Sequence, residues 1–292
     1  MATGSDNSWL AVDVGNSQIK VGIFAASPDQ EAPRSDQVSL PSLNDHRLPV
    51  CPGSYSVPLD ETVPWNEIFN GQSVPAGLRC VIVGSNQHGV DRIVNGWPNW
   101  LSQPDVIRSS ESFPISIQVD EPRRVGLDRL LNAVAANMIR DTQSPVIIVS
   151  CGTATTIDLV SAAGCFCGGA ILPGFTLCAR ALHQYTEVLP FISMDELFDL
   201  PPSEDCHPAL GSNTQAAIMS GVFWGQIGAV RELIARLSQS GLAGNKSTAA
   251  PKVLLTGGGS RLLVPYFPDA VHCPYLSLQG LVLAAAAKKA NQ

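Results

Sequence analysis

The apolar positions of the chain fall into two related blocks. Trp9-Leu10-Ala11-Val12 is a short apolar run, Asp13-Val14-Gly15-Asn16-Ser17 has turn chemistry, and Ile19 to Phe24 alternates apolar and polar positions. That pattern predicts a strand, a turn and a half-buried return strand. It recurs as Val146-Ile147-Ile148-Val149, Cys151-Gly152-Thr153 and Thr155 to Val160, and Ala162-Ala163-Gly164 then leads into a further strand from Cys165 to Ile171. A repeat with a period of half a chain predicts duplicated domains and not a solenoid.

Helical spacing occupies other stretches. Leu127, Leu130, Leu131, Val134, Ala135 and Met138 form one stripe, and Ile218, Val222, Phe223, Ile227, Val230 and Leu237 another. Gly221, Gly225 and Gly228 lie in the second helix. A helical glycine costs ~1 kcal/mol, so these three suggest close approach of another backbone. A helix is expected within residues 88–104, stopped by Pro98 or Pro104. A last one is expected from an N-cap at Ser277 to Lys288-Lys289. Further strands are expected at residues 80–83, 113–119 and 253–255. Residues 27–77, rich in Pro, Ser, Asn and Asp, read as loops with one short helix near Trp65 to Asn70.

Composition narrows the class. At 292 residues the chain is long enough for two domains. Charged residues make up 15% and hydrophobic ones 45%, which excludes a disordered chain. A net charge of -7 without a basic run argues against nucleic acid or an anionic membrane as partner. The longest purely apolar stretch, Leu281 to Ala287, is far short of the ~20 residues of a membrane helix. The first residues lack the basic and apolar regions of a secretory signal, so a cytoplasmic location is expected. Eight cysteines without a CxxC pair read as reduced structural thiols, with no zinc spacing.

Five segments could carry chemistry. In Asp13-Val14-Gly15-Asn16-Ser17-Gln18-Ile19-Lys20 a glycine between strands lets backbone approach an anion, Asn16, Ser17 and Lys20 add donors, and Asp13 could hold a hydrated Mg²⁺. An ordinary hairpin with a solvated lysine would look the same. Ser150 to Asp158 repeats the logic with hydroxyls, and Asp158 would be a second acid near the metal. Gly126-Leu127-Asp128-Arg129 opens a helix, where Asp128 is either a cap or a general base beside an anion clamp. Gly168-Gly169-Ala170-Ile171-Leu172-Pro173-Gly174 is either a backbone approach or a strand end with a type II turn. Thr256-Gly257-Gly258-Gly259-Ser260 could seat a nucleotide base or ribose, or be a flexible loop. The five histidines lie in no motif and read as structural or surface residues.

Taken in order, DVGNSQIK (13–20), GLDR (126–129), GTATTID (152–158), GGAILPG (168–174), SNT (212–214) and TGGG (256–259) resemble the type III pantothenate kinases. The resemblance implies an α/β fold of the acetate and sugar kinase/Hsp70/actin superfamily: two ribonuclease-H-like domains with ATP in the cleft between them. The domains would be residues 1–122 and 123–292, with the last helix packing back on the first. It implies ATP-dependent phosphorylation of pantothenate to 4′-phosphopantothenate, the first step of coenzyme A biosynthesis. It maps Asp13, Val14, Gly15, Asn16, Ser17, Gln18, Ile19, Lys20 and Thr153 onto ATP contacts. Asp128 becomes the proton acceptor, and Gly126, Leu127, Asp128, Arg129 and Thr214 become substrate contacts. Arg129 would bind the substrate anion or the developing charge. Mg²⁺ would be held through water by Asp13, and K⁺ or NH₄⁺ at position 150.

The family also implies a cytoplasmic homodimer, consistent with a glycine-bearing helix free to pack on a partner. Two departures stand out. Ser150 replaces the family's usual Asp, and a hydroxyl is a weaker cation ligand than a carboxylate. Residues Ile117 to Asp120 lack the Tyr that family members often carry before the GLDR segment. Two other readings stay open on the sequence. One is a non-catalytic nucleotide-binding accessory or regulatory protein of the same fold, favoured by Ser150. The other is a different small-molecule kinase of the superfamily, opposed by the GLDR segment.

Overall fold

The structure is a computed structural model that describes residues 8–24, 48–69, 74–75, 77–111, 113–141, 144–194, 197, 207–240 and 250–290. Residues 1–7, Asn70, Cys206, 241–249 and much of the Pro-rich stretch lie outside the described residues.

In the first half, β1 (Trp9–Val14) and β2 (Gln18–Phe24) form the expected hairpin, with Val14 opposite Ile19. β3 (Gly53–Pro58) pairs antiparallel with β2. β4 (Arg79–Gly84) joins β1 in parallel and β5 (Asp105–Ile107) joins β4, giving the order β3-β2-β1-β4-β5. The second half repeats this plan. β7 (Val146–Cys151), β8 (Ala154–Val160) and β9 (Cys165–Pro173) form the antiparallel meander, and β10 (Lys252–Thr256) and β11 (Val271–His272) extend it in parallel from β7. With the short β6 (Ser116–Ile117) beside β9, the order is β11-β10-β7-β8-β9-β6.

Both central strands are buried on both faces, and their alternation divides the core into layers. Trp9 and Ala11 face an inner cluster that also holds Val146 and Ile148, while Leu10, Val12 and Val14 face outward in their own sheet. The inner layer is built by α3 (Leu127–Ile139) and α6 (Leu276–Ala290), through Leu130, Leu131, Val134, Leu281 and Ala284. A Cβ on Gly280 would lie 2.0 Å from the Leu131 carbonyl oxygen, so these two helices cross backbone to backbone. α6 also packs on β1, β2 and β4. The outer face of the first sheet is covered by α1 (Trp65–Ile68) and α2 (Gln87–Asn95). That of the second is covered by α4 (Phe175–Gln184) and α5 (Thr214–Ser238). No helix among the described residues is long and apolar enough to cross a membrane.

The structure corrects several expectations. β3 lies where loops were expected, β5 falls in a stretch with no predicted element, and α4 follows the Pro173-Gly174 turn where no helix was expected. The strand expected over 113–119 shrinks to β6. α2 stops at Asn95 with Gly96 as its C-cap, before either proline. Ser277 sits inside the first turn of α6 and is not its N-cap. The glycines of α5 meet nothing: a Cβ at Gly221, Gly225 or Gly228 would have no neighbour within 4 Å. They therefore allow no backbone approach within the described chain.

Candidate active site

A cleft of about 610 Å³ is lined from both halves, a volume typical of small-molecule sites. From the first half come Asp13, the turn Gly15 to Gln18 and Lys20. From the second come Ser150 to Ala154, Thr156 and Thr256 to Gly259. α3 contributes Asp128 and Asn132, and α6 contributes Ser277.

The two glycine turns meet across this cleft. Ser17 Oγ and Thr153 Oγ1 lie 2.8 Å apart, within hydrogen-bond distance, although 136 positions separate them. Each turn is closed by its own backbone. The Gly15 N–H donates to the Gln18 carbonyl at 2.9 Å, and the Gly152 N–H to the Ala154 carbonyl at 3.0 Å. The glycine amides are thus engaged, and the donors presented to an anion include the side chains of Asn16, Ser17, Lys20 and Thr153. Val14 and Ile19 are buried in the core and do not line the cleft.

Asp13 stands at the cleft end of β1, opposite Lys20 in the hairpin register, and is 7% exposed. Burial pushes its carboxyl above the usual carboxylate range; Lys20 opposes the shift, Asp128 adds to it, and a hydrogen bond from Ser277 opposes it. A second turn element closes the far wall. Gly257 takes φ of 87°, and a Cβ there would fall 2.4 Å from the Cys151 carbonyl oxygen. Glycine is therefore required by conformation and by space. Ser260 donates to the Gly257 carbonyl at 2.6 Å and lies 3.0 Å from His272 Nε2. Gly258 to Leu262 form a 3₁₀ turn, not a flexible loop.

The GLDR segment opens α3. Gly126 is the N-cap, and no side chain caps this helix, so Asp128 does not serve as a cap. A Cβ on Gly126 would lie 2.6 Å from Asp128 Oδ1, so the glycine leaves room for that carboxylate. Asp128 is exposed to the cleft in the first helical turn. Arg129 points elsewhere. Its Nε donates to Asp158 Oδ1 at 3.0 Å, its Nη2 contacts the same oxygen, and its guanidinium lies 5.4 Å from the Phe166 ring centre. Asp158 is fully buried and also accepts from Thr156 Oγ1 at 3.0 Å. Burial pushes Asp158 up, and Arg129 opposes that shift. The expectation of Asp158 as a second acid beside a metal is thereby corrected: its charge is matched by Arg129.

Other expected site residues fall in different places. Ser150 is half-buried, lines the cleft and stands opposite Thr156. Thr214, the first residue of α5, is exposed and does not line the cleft; neither do Gly126, Leu127 and Arg129. The α5 N-cap is Asn213, whose side chain accepts from the Ala216 N–H at 2.9 Å. The sequence reading missed Asn132, Arg180, Arg261 and Ser277, all of which line the cleft. Asn132 had a signal: it is the polar residue within the buried run Leu130 to Ala136.

Among the described residues no cluster of three or more His, Cys, Asp or Glu could hold a metal by itself. Asp13 offers one carboxylate at the mouth of a donor-lined turn. That donor set suits a hard cation that keeps most of its waters and takes further oxygens from a bound phosphate, as Mg²⁺ does.

Comparison with known proteins places this chain in a family. A protein-family model described as type III pantothenate kinase matches residues 9–236. A type III pantothenate kinase of Dehalococcoides mccartyi (strain CBDB1) is 38% identical over 281 residues, covering 93% of each chain. One from Gluconobacter oxydans is 39% identical over 221 residues, covering 74% of this chain and 73% of the relative. One from Geobacter sulfurreducens is 31% identical over 279 residues, covering 93% and 96%. Among solved structures, a protein described as a Baf family transcriptional activator from Campylobacter jejuni superposes with a TM-score of 0.55 at 17% identity, covering 97% of this chain and all of that one. The activator of 2-hydroxyisocaproyl-CoA dehydratase from Clostridium difficile, with bound ADPNP, gives 0.51 at 10% identity, covering 97% of each. These two likenesses bear on the fold alone, a duplicated α/β plan.

Proposed function

The chain belongs to the type III pantothenate kinase family, and on that premise we propose how its cleft works. It is a kinase that phosphorylates pantothenate to 4′-phosphopantothenate with ATP as donor, the first step of coenzyme A biosynthesis. The observation that carries the site assignment is the meeting of the two glycine turns, through Ser17 and Thr153, in the same cleft as the Asp128 carboxylate.

Phosphoryl transfer asks the protein mainly to position and to stabilise charge. The turn Asp13 to Lys20, with Thr153 facing it, cradles the phosphates of ATP. Mg²⁺, when bound, neutralises charge that builds on the phosphate oxygens. Asp13 would hold it, and Lys20 would balance the phosphate side. Asp128 accepts the proton of the primary hydroxyl of pantothenate. Gly126 to Arg129 form the pantothenate segment, in which Arg129 anchors the first turn of α3 to β8 through Asp158. We divide the halves as residues 1–122 and 123–292, with β6 crossing from the first to the sheet of the second and α6 packing back from the second on the first.

Thr214 lies off the cleft, and its contact with pantothenate is assigned to a homodimer. Exposed Ile171, Leu177, Tyr185, Val188 and Phe191, together with the unpacked glycines of α5, support such a face. A cytoplasmic location suits the substrate. The family's monovalent cation fits poorly here: Ser150 and Thr156 supply hydroxyls only, and no step is assigned to K⁺ or NH₄⁺.

The test is ADP release by the purified chain with ATP, Mg²⁺ and pantothenate, compared with Asp128→Asn. Pantothenate-dependent turnover is expected, and the variant should lose at least about 10²-fold in kcat, the usual worth of a general base. Nucleotide binding without turnover would favour the accessory-protein reading. Near-normal turnover of the variant would remove Asp128 from the mechanism.

A further inference from the structure

Nearly every arginine among the described residues makes a hydrogen bond, an ion pair or a ring contact within the chain. Arg108 meets Asp91, Arg129 meets Asp158 and Arg236 meets Glu232. Arg180 and Arg261 make no such contact among the described residues, and both line the cleft, to which both are exposed. A guanidinium is a permanent cation with five donors. An unpaired arginine on an open surface needs no explanation. Two on the wall of one cleft, in a chain of net charge -7 whose other described arginines all find partners, point to a ligand.

The wall that carries them has its own chemistry. Arg180 lies on α4 and Arg261 in the 3₁₀ turn Gly258–Leu262. The two elements touch, since a Cβ on Gly259 would lie 3.5 Å from the Phe175 ring. Together they also bring Phe175, Leu177 and Leu262 to the cleft. They bring no acid: the acids that line it, Asp13 and Asp128, come from β1 and α3. Apolar surface beside guanidinium groups suits a flat aromatic ring, on whose face a guanidinium stacks. A phosphate needs donors and gains nothing from leucines.

Placement points the same way. α3 packs on the inner face of the second sheet, where Leu130 and Leu131 join Val146 and Ile148. Phe175 of α4 and Leu262 of the 3₁₀ turn pack on its outer face, with Ile147 and Val149. Asp128 and the two arginines therefore reach the cleft from opposite faces of one sheet, and the Gly152 turn stands at the end of that sheet. Phosphoryl transfer runs roughly in line, with the attacking and leaving oxygens on opposite sides of the moving group. A hydroxyl that attacks from the side of Asp128 sends the nucleotide out towards the arginines.

Resting on the kinase reading above, we propose that Arg180 and Arg261 are nucleotide-binding residues that hold the nucleoside end of ATP, their guanidinium groups stacking on the base against the apolar wall of α4 and the 3₁₀ turn. The glycine turns then serve the phosphates and the arginines serve the base. Inorganic polyphosphate, which has no base, is a poor ligand on this scheme.

The experiment is calorimetric titration of the full chain in Mg²⁺ with a non-hydrolysable ATP analogue, with inorganic tripolyphosphate and with pantothenate. The proteins are wild type, Arg180→Gln, Arg261→Gln, the double variant, and Arg180→Lys and Arg261→Lys. Wild type should prefer the nucleotide to tripolyphosphate by at least about tenfold, and the double glutamine variant should narrow that preference to within about threefold. Each lysine variant should behave like the glutamine variant at its position, because lysine keeps the charge and loses the plane. Pantothenate affinity and melting temperature should not change. Parallel loss of nucleotide and tripolyphosphate, restored by lysine, would overturn the inference and give the arginines to the phosphates. Loss of pantothenate affinity with nucleotide affinity intact would overturn it in favour of the substrate carboxylate. Wild type that bound no nucleotide would overturn the kinase reading and this inference with it. Wild-type binding with unchanged variants would overturn the inference alone.

Discussion

The two hairpin turns of the cleft are built alike and charged differently. Counting back from Gly15 and Gly152, Asp13 and Ser150 occupy the same place at the end of the first strand of each half. Their register partners are Lys20 and Thr156. Duplication has thus conserved a backbone plan, strand order included, while one copy carries an acid and a base and the other carries hydroxyls. The charged copy faces the same cavity as Asp128, whose field reaches Asp13. In the neutral copy the one acid, Asp158, is buried and paired with Arg129. The contrast suggests that one backbone can supply either a charge-handling turn or a hydrogen-bonding turn, and that a site between two copies needs only one of the former.

The largest test removes the charge from the charged copy. Asp13→Asn should lower kcat by about 10²-fold or more, because the metal-side carboxylate acts on the transition-state charge. The same change should stabilise the fold. Asp13 is pushed up chiefly by burial, so the folded protein binds its proton more tightly than the unfolded chain does. Stability from that proton is present at low pH and is lost as pH rises through the raised value. The gap in melting temperature between Asp13→Asn and wild type should therefore widen as pH increases from the carboxylate range towards neutrality. A variant less stable than wild type at neutral pH would show that Lys20 and Ser277 outweigh burial.

How much of this was legible in sequence follows from what each segment buries. β1 and β7 were legible as short continuous apolar runs, buried on both faces and ended by Gly-polar turns, and β2 and β8 as the strands that return from those turns. β3 was not: Gly53-Ser54-Tyr55-Ser56-Val57-Pro58 buries only Val57, and as an edge strand it tolerates its terminal proline. α4 was hidden because Gly174 provides no side-chain cap and only Phe175 and Ala179 are buried. In the cleft, the turn residues were legible as a motif. The Arg129–Asp158 pair was not, because the two residues lie 29 positions apart and nothing local marks either as the other's partner. Arg180 and Arg261 reach the cleft only because of how α4 and the 3₁₀ turn after Gly257 are placed.

A middle-sized effect is expected in the neutral copy. Thr153→Ala removes one hydroxyl from the pair that bridges the turns. A hydrogen bond to a charged group is worth roughly 1.5–3 kcal/mol, so KM for ATP should rise about tenfold or somewhat more. KM for pantothenate should change little. Equal increases in both constants would mean that the Ser17–Thr153 contact closes the cleft as a whole instead of holding phosphate.

The smallest effect is expected at Ser150, the counterpart of Asp13. Its side chain is a neutral hydroxyl opposite another hydroxyl, so it has little charge to stabilise and little to lose. Ser150→Ala should change kcat/KM by less than about threefold, since the exchange removes at most one neutral hydrogen bond. Turnover of wild type in KCl, NH₄Cl or choline chloride at equal ionic strength should differ by a similarly small factor, because hydroxyls bind a cation less firmly than a carboxylate. Strong stimulation by K⁺ that Ser150→Ala abolishes would erase the contrast between the copies. Position 150 would then handle charge by borrowing it from a bound cation, and both turns would need a positive ion to do the work that Asp13 and Lys20 do in one.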